Sequence, residues 1–316
     1  MAENGKLITQ SVGFTVADMA RSQDFYTQIL PFQKISDQEL SGKAFEQLTG
    51  LSDVTLRVVQ LQLGDEILEL TEYSSGGNPI PADTRSNDRW FQHLAIVVSD
   101  MEKAHHHVQQ HLAQNVSTQP QTLPDWNPDV AGIQAFYFQD PDGHFLELIQ
   151  FPPDKGAAKW HQESDDLFLG IDHTAIVVAD TDTSLQFYRD ILGLELGQSI
   201  ENHGKEHERL SRVPRAHLKI TRLNPAQGIG MELLEYLTPQ DGRPMPDDVR
   251  PHDAMHWQTT LGVKDVLDLT EQTLTKPVSF DSSGIVTVPP ESTGFQRAAL
   301  VRDPDGHALR LVEVAD

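Results

Sequence analysis

Four stretches of the chain read alike: SVGFTVADMARSQDFYTQIL (residues 11–30), HLAIVVSDMEKAHHHVQQHL (93–112), HTAIVVADTDTSLQFYRDILGL (173–194) and QTTLGVKDVLDLTEQTL (258–274). Each opens with an apolar run rich in Val and Ile, the mark of a strand. Each then places an Asp at a turn, at Asp18, Asp100, Asp180 and Asp265, where its carboxylate can cap a following helix. In the third stretch Leu185, Tyr188, Ile191 and Leu192 recur at helical spacing. The four Asp residues lie 82, 80 and 85 positions apart, so the chain is a fourfold repeat.

One strand and one helix occupy about 25 residues of each unit, within typical element lengths. The remainder reads as further strands. In the second unit AGIQAFYF and HFLELIQF flank the turn DPDG, and in the fourth FQRAALV and HALRLVEV flank the same turn. Pro presets one dihedral of such a turn and Gly accepts positive φ, so each flanking pair is a hairpin. The unit is β-α-β-β-β. The stretch FPPDKGAAKWHQESDD (151–166) breaks the pattern with polar residues and turn signals, as a linker does. The sequence thus divides into 1–150, with modules at approximately 8–75 and 90–150; a linker at 151–168; and 169–316, with modules at approximately 169–238 and 255–316. The fold class expected is α+β: four βαβββ modules paired into two cupped mixed β-sheet domains, with helices outside.

Composition narrows the partners. Lys and Arg total 24 against 47 Asp and Glu, a formal charge of −23, which repels nucleic acid and anionic membrane surfaces. The absence of cysteine removes disulfides, thiolate metal sites and a cysteine nucleophile. No secretory signal is visible at the start, and no apolar run reaches the length of a membrane span, so a cytoplasmic protein is expected. There is no Gly-rich phosphate loop, nucleophile elbow or zinc-protease helix. The partner expected is a small-molecule substrate, with the chain a monomer or homodimer.

The phrases V-x-D-x-x-x-S-x-x-FY-x-x-x-LG (178–193) and DPDGHFLEL (140–148) resemble the vicinal oxygen chelate superfamily of glyoxalases, bleomycin resistance proteins and extradiol dioxygenases. The resemblance covers nearly the whole chain apart from linker and termini. It implies paired modules whose curved sheets form a cupped site, with metal ligands on the first and last strands. Counting back seven residues from each turn Asp gives Ser11, His93, His173 and Gln258 at the first-strand position. The last-strand position holds Glu69, Glu147, Glu232 and Arg310. The second and third modules therefore each keep one His and one Glu. The resemblance makes His93, Glu147, His173 and Glu232 the metal ligands, and Glu147 or Glu232 the catalytic base. Imidazole plus carboxylate suits one divalent ion of Ni, Co, Zn, Mn or Fe.

Module pairing decides what these residues mean. If the second module pairs with the third, all four ligands converge, and the other cup holds Ser11, Glu69, Gln258 and Arg310, where the Arg310 cation replaces a metal beside Glu69. If neighbours pair within each half, one cup holds Ser11, Glu69, His93 and Glu147 and the other His173, Glu232, Gln258 and Arg310. The crossed arrangement is favoured because the losses then fall together in the outer modules. His256, two positions before Gln258, could rescue one ligand in a shifted register.

Other histidines have plainer readings. His105, His106, His107 and His111 are read as a solvated helix face, and His144 and His307 as hairpin residues at the rim. His203, His207 and His217 fall among the third module's middle strands. Trp160 and His161 would approach substrate only if the linker crosses the cup mouth. The reaction expected is that of a metal-dependent lyase or isomerase resembling glyoxalase I, acting on a substrate that chelates through two adjacent oxygens. The alternatives are an extradiol-type Fe(II) ring-cleaving dioxygenase and a non-catalytic small-molecule binding protein.

Overall fold

In the computed structural model, described over residues 7–111, 115–266 and 279–314, the chain folds as four modules in two curled sheets. The first module runs β1 (Ile8–Thr15), α1 (Met19–Asp24) continued by a π turn (Phe25–Ile29), β2 (Gln33–Ser41), α2 (Lys43–Thr49), β3 (Thr55–Leu63) and β4 (Glu66–Tyr73). The second runs β5 (Gln92–Val98), α3 (Met101–Gln109), β6 (Gln121–Thr122), β7 (Gln134–Gln139) and β8 (Phe145–Gln150). The third runs β9 (Phe168–Val178), α4 (Thr181–Tyr188), β10 (Glu195–His203), α5 (Lys205–Ser211), β11 (His217–Asn224) and β12 (Gly230–Thr238). The fourth contributes β13 (Trp257–Val263), β14 (Ser279–Phe280), β15 (Val286–Thr287), a short helix (Pro290–Thr293), β16 (Phe295–Arg302) and β17 (Ala308–Val314). The helix expected after Asp265 falls largely on residues 267–278, outside the described residues. Among the described residues no helix is long and apolar enough to cross a membrane.

The turn aspartates cap as their position suggests. Asp18, Asp100 and Asp180 sit in extended conformation, and their side chains accept hydrogen bonds from the backbone N–H of Arg21, Lys103 and Thr183. The DPDG turns are closed by Gly143 and Gly306 at φ of 92° and 97°, a conformation that penalises a side chain.

The sheets pair across the middle of the chain. One follows the order β10-β11-β12-β9-β5-β8-β7-β6, joining the second and third modules through the antiparallel β5–β9 ladder. The other follows β14-β16-β17-β13-β1-β4-β3-β2, joining the first and fourth through β1–β13. In each module the last strand returns parallel to the first. The cups therefore do not follow the sequence halves 1–150 and 169–316: each sheet takes one module from each half.

What the halves share is the core behind the sheets. Side chains alternate along a strand, so Leu94, Ile96 and Val98 of β5 face the back, where they join Phe14, Tyr26, Leu68 and Leu70 of the first module. The third and fourth modules are joined in the same way by Ile176, Tyr188, Leu233, Leu261 and Leu311. Burying each such side chain is worth about 1.5–3 kcal/mol, so these two cores carry much of the fold. A buried polar clasp repeats in each: the Tyr26 hydroxyl donates to Asp140 at 3.0 Å, and the Tyr188 hydroxyl to Asp303 at 2.9 Å.

Candidate metal centre

The opposite face of β5 carries His93, Ala95 and Val97 into the cup. The ladder sets His93 opposite Ala175 and Ala95 opposite His173, so the two histidines lie diagonally across the central strand pair. Parallel pairing places Glu147 beside Ala95 and Glu232 beside Ala175. The four residues thus approach one another from four neighbouring strands, β12-β9-β5-β8.

Three of them form a tight cluster. His93 Nε2 lies 3.3 Å from His173 Nε2 and 3.1 Å from Glu147 Oε2, and His173 Nε2 lies 3.5 Å from Glu147 Oε2. All three are buried, with 1%, 3% and 5% of their surfaces exposed. Glu232 stands slightly apart. Its Oε2 is 3.5 Å from His173 Nε2, and its side chain keeps 18% exposure. Arg222 Nη1 holds its other oxygen, Oε1, at 3.3 Å.

Asp172 and Arg222, for which the sequence carries no signal, complete the centre together with Trp160 of the linker. Asp172 is the extra residue of a bulge, because β9 advances from His173 to Ile171 where β5 advances one position. Its Oδ2 receives His173 Nδ1 at 2.9 Å and Arg222 Nη1 at 2.6 Å. Its Oδ1 accepts from Trp160 Nε1 at 2.9 Å. The linker therefore reaches the centre through Trp160, while exposed His161 turns away to the carbonyl of Lys155. Gly230 makes room for the arginine: a Cβ there would meet Arg222 Nη2 at 2.6 Å.

Charge is distributed accordingly. Burial raises the Glu147 pKa, but hydrogen bonds and charge from His173 and His93 outweigh it and hold the carboxyl down at about 2. Burial lowers His173, but Glu232, Asp172 and Glu147 carry it up to about 10. Asp172 is also buried, yet His173 and Arg222 hold it well below the usual carboxylate range. His207, on α5, is pushed down to about 4, chiefly by burial, and neither ring nitrogen has a partner among the described residues.

The donor set fits a divalent ion. A first-row ion bonded at about 2.0–2.2 Å keeps tetrahedral or octahedral neighbours about 3.0–3.4 Å apart, close to the separations above. Two imidazole nitrogens turned toward each other and toward a carboxylate oxygen also require a shared proton or a shared cation. His173, with Asp172 behind its other nitrogen, has the carboxylate–histidine arrangement that orients a metal ligand.

Several plainer readings need correction. His144 and His307 are not at a rim: they are 2% and 1% exposed, with Nε2 on the carbonyls of Ala254 and Val177. His105 and His107 are half-buried rather than solvated, His105 against Phe136 and His107 on the carbonyl of Ile29. His207 lies on a helix, not a strand, and His203 is exposed beneath Trp126. His256 rescues nothing by a shift, because Gln258 itself holds the position opposite Gly13 that His173 holds opposite Ala95.

The fold is thus two curled sheets built from crossed βαβββ modules, and one of the sheets carries histidine and carboxylate together on its first and last module strands. The chain belongs to the glyoxalase/bleomycin resistance protein/dioxygenase superfamily, whose family model matches residues 9–148 and 170–311. A 2-epi-5-epi-valiolone epimerase from Actinomyces sp is 30% identical over 155 residues, 47% of this chain and 81% of that protein. Glyoxalase I from Zea mays superposes with a TM-score of 0.58 at 17% identity, covering 97% of this chain and 92% of its own. A Bacillus subtilis protein described as a dioxygenase superposes with a TM-score of 0.59 at 13% identity, over 99% and 87%. The two structures share the fold.

Proposed function

We propose that the chain is a metal-dependent enzyme of the lyase, isomerase or epimerase type, acting on a small substrate with two adjacent oxygens. The observation that carries this reading is the buried cluster of His93, His173 and Glu147 donor atoms within 3.1–3.5 Å of one another. These three residues would hold one divalent ion of Ni, Co, Zn, Mn or Fe. When bound, the ion supplies Lewis acidity to the substrate oxygens and acidifies the carbon beside the carbonyl.

The chain's own residues divide the remaining work. Asp172 fixes the His173 ring by taking its Nδ1 hydrogen. Glu147, inside the cluster, stays ionised and serves as a ligand. Glu232, at the open edge, moves the proton: its carboxylate receives it from the carbon beside the carbonyl and returns it to that carbon or its neighbour. Arg222 grips Oε1 of Glu232 and keeps Oε2 turned inward. Removal by Glu232 followed by delivery of a proton to the opposite face of the same carbon, from a second donor across the substrate plane, would be epimerisation, the reaction class in the name of the Actinomyces relative. Return to the neighbouring carbon is the isomerisation expected of a glyoxalase-like enzyme.

Elemental analysis of the gently purified protein tests the centre. About one divalent ion per chain is expected, lost in both His93→Ala and His173→Ala. No metal after reconstitution with Ni, Co, Zn, Mn and Fe overturns the reading. The reaction is tested by deuterium uptake from solvent into 2-epi-5-epi-valiolone and into a hemithioacetal with two adjacent oxygens. Glu232→Gln should abolish uptake while retaining the metal.

A further inference from the structure

The cup of the first and fourth modules repeats the ladder register of the metal centre. Ser11 lies opposite Thr260 as His93 lies opposite Ala175, and Gly13 opposite Gln258 as Ala95 lies opposite His173. Glu69 and Arg310 hold the last-strand positions, beside Gly13 and Thr260. Arg310 meets Glu69 fork to fork, Nη1 to Oε1 at 2.8 Å and Nη2 to Oε2 at 3.0 Å. The guanidinium stands where a metal would need to be. Yet the cup is not filled. A cavity of about 250 Å³ remains between the sheet, α2 and the short helix Pro290–Thr293.

We propose that this second cup is a metal-free binding site for a small uncharged amphiphile, an apolar ring bearing a hydroxyl, carbonyl or amide group.

Three polar side chains bordering the cavity keep hydrogen-bonding capacity that no described residue uses, and they point to such a ligand. Thr71 and Tyr73, 7% and 8% exposed, follow Glu69 along one face of β4, and neither hydroxyl is engaged. The Gln258 carbonyl oxygen faces His256 Nε2 at 3.2 Å, which leaves its amide N–H groups free to donate. Polar groups that face a cavity are satisfied by water or by a ligand, so these three offer a bound amphiphile its polar anchor. The corresponding β12 positions are Leu234 and Tyr236, so the tyrosine is common to both cups and the Thr71 hydroxyl is particular to this one.

The opposite wall is apolar. Phe45 and Leu48 of α2 face the cavity with Leu56, Phe295 and Leu300. Phe45 takes the place that His207 holds in the other cup, at the third residue of the equivalent helix. The ligand's charge follows from the floor. Both terminal nitrogens of Arg310 are engaged by Glu69, so the pair has no net charge to offer. An anion would have to take the arginine and strand a carboxylate that is 3% exposed, and a cation would have to displace the arginine. An uncharged ligand disturbs neither.

Calorimetric titration of the full-length chain, after EDTA treatment, with benzyl alcohol, benzamide, benzoate and benzylamine tests this. One molecule of an uncharged probe should bind per chain, at least tenfold more tightly than either charged probe. Thr71→Leu, which fills the cavity and removes a hydroxyl, should weaken binding at least tenfold. Tyr73→Phe, which deletes one hydroxyl without changing the packing, should weaken it at least threefold. Saturable binding of neither uncharged probe, equal binding of charged and uncharged probes, or binding unaffected by Tyr73→Phe in a folded variant overturns the proposal. The metal centre does not enter this test, so either reading can fail alone.

Discussion

At the scale of single residues the candidate centre is a balance of charges. In the metal-free chain His173 is held near 10, above its ordinary 6.5, and Glu147 near 2, below its ordinary 4.5. A raised histidine stabilises fully below pH 6.5 and loses that contribution as pH rises toward 10. A depressed carboxylate stabilises above pH 4.5 and loses its contribution as pH falls toward 2. The site's contribution to stability should therefore be greatest between pH 4.5 and 6.5, read from urea midpoints of EDTA-treated protein. An imidazolium cannot ligate, so binding Zn at pH 7 must expel about one proton from the cluster. Calorimetry in two buffers of different ionisation enthalpy measures that number, and a value near zero would contradict a charged His173. Asp172→Asn removes the carboxylate that orients His173. It should weaken metal binding by about 10–100-fold in a chelator competition, with the metal still bound at saturation.

Elements explain what was legible. The Asp caps, the Val- and Ile-rich strands and the DPDG hairpins are local signals, carried by residues adjacent in sequence, and they located Ser11, His93, His173 and Gln258 in one register. Asp172 was not legible, because successive strand residues normally face opposite ways and only a bulge turns it toward the ring of His173. Arg222 was hidden for a similar reason. It lies on β11, and its link to Asp172 spans 50 residues. The tyrosine of the FY pair in the first and third repeats had no assigned purpose in the sequence. Tyr26 and Tyr188 turn out to clasp the DPDG aspartate of the following module, across 114 and 115 residues. Tyr26→Phe leaves Asp140 with one buried partner fewer and should lower unfolding free energy by about 1–3 kcal/mol, with Tyr188→Phe similar. Equilibrium denaturation measures both. A loss confined to the surface-pair range of about 0–1 kcal/mol would mean that the clasps are ornamental.

The whole molecule is held together in two directions at once. Shared cores behind the sheets join the modules within each half, and the β1–β13 and β5–β9 ladders join modules across the halves. A third set of contacts reinforces the crossing. Asp88, fully buried, receives Arg243 Nη2 at 2.7 Å and Nε at 3.1 Å, and Arg85 reaches Asp241 at 2.9 Å. The candidate ligands come from both halves, His93 and Glu147 from one and His173 from the other. The linker is therefore not what keeps the centre assembled. Its exposed end, residues 163–165, carries no strand pairing. A protease site inserted after Glu163 should be cut without separating the halves. The nicked protein should elute as a single species of the intact chain's 35.3 kDa, retaining its metal, and denaturant alone should resolve two fragments. Separation of the halves in native buffer would mean that crossed pairing contributes too little to hold the cups closed. Retained association with loss of metal would mean that Trp160, which joins the linker to Asp172, must be tethered from both sides for the centre to keep its shape.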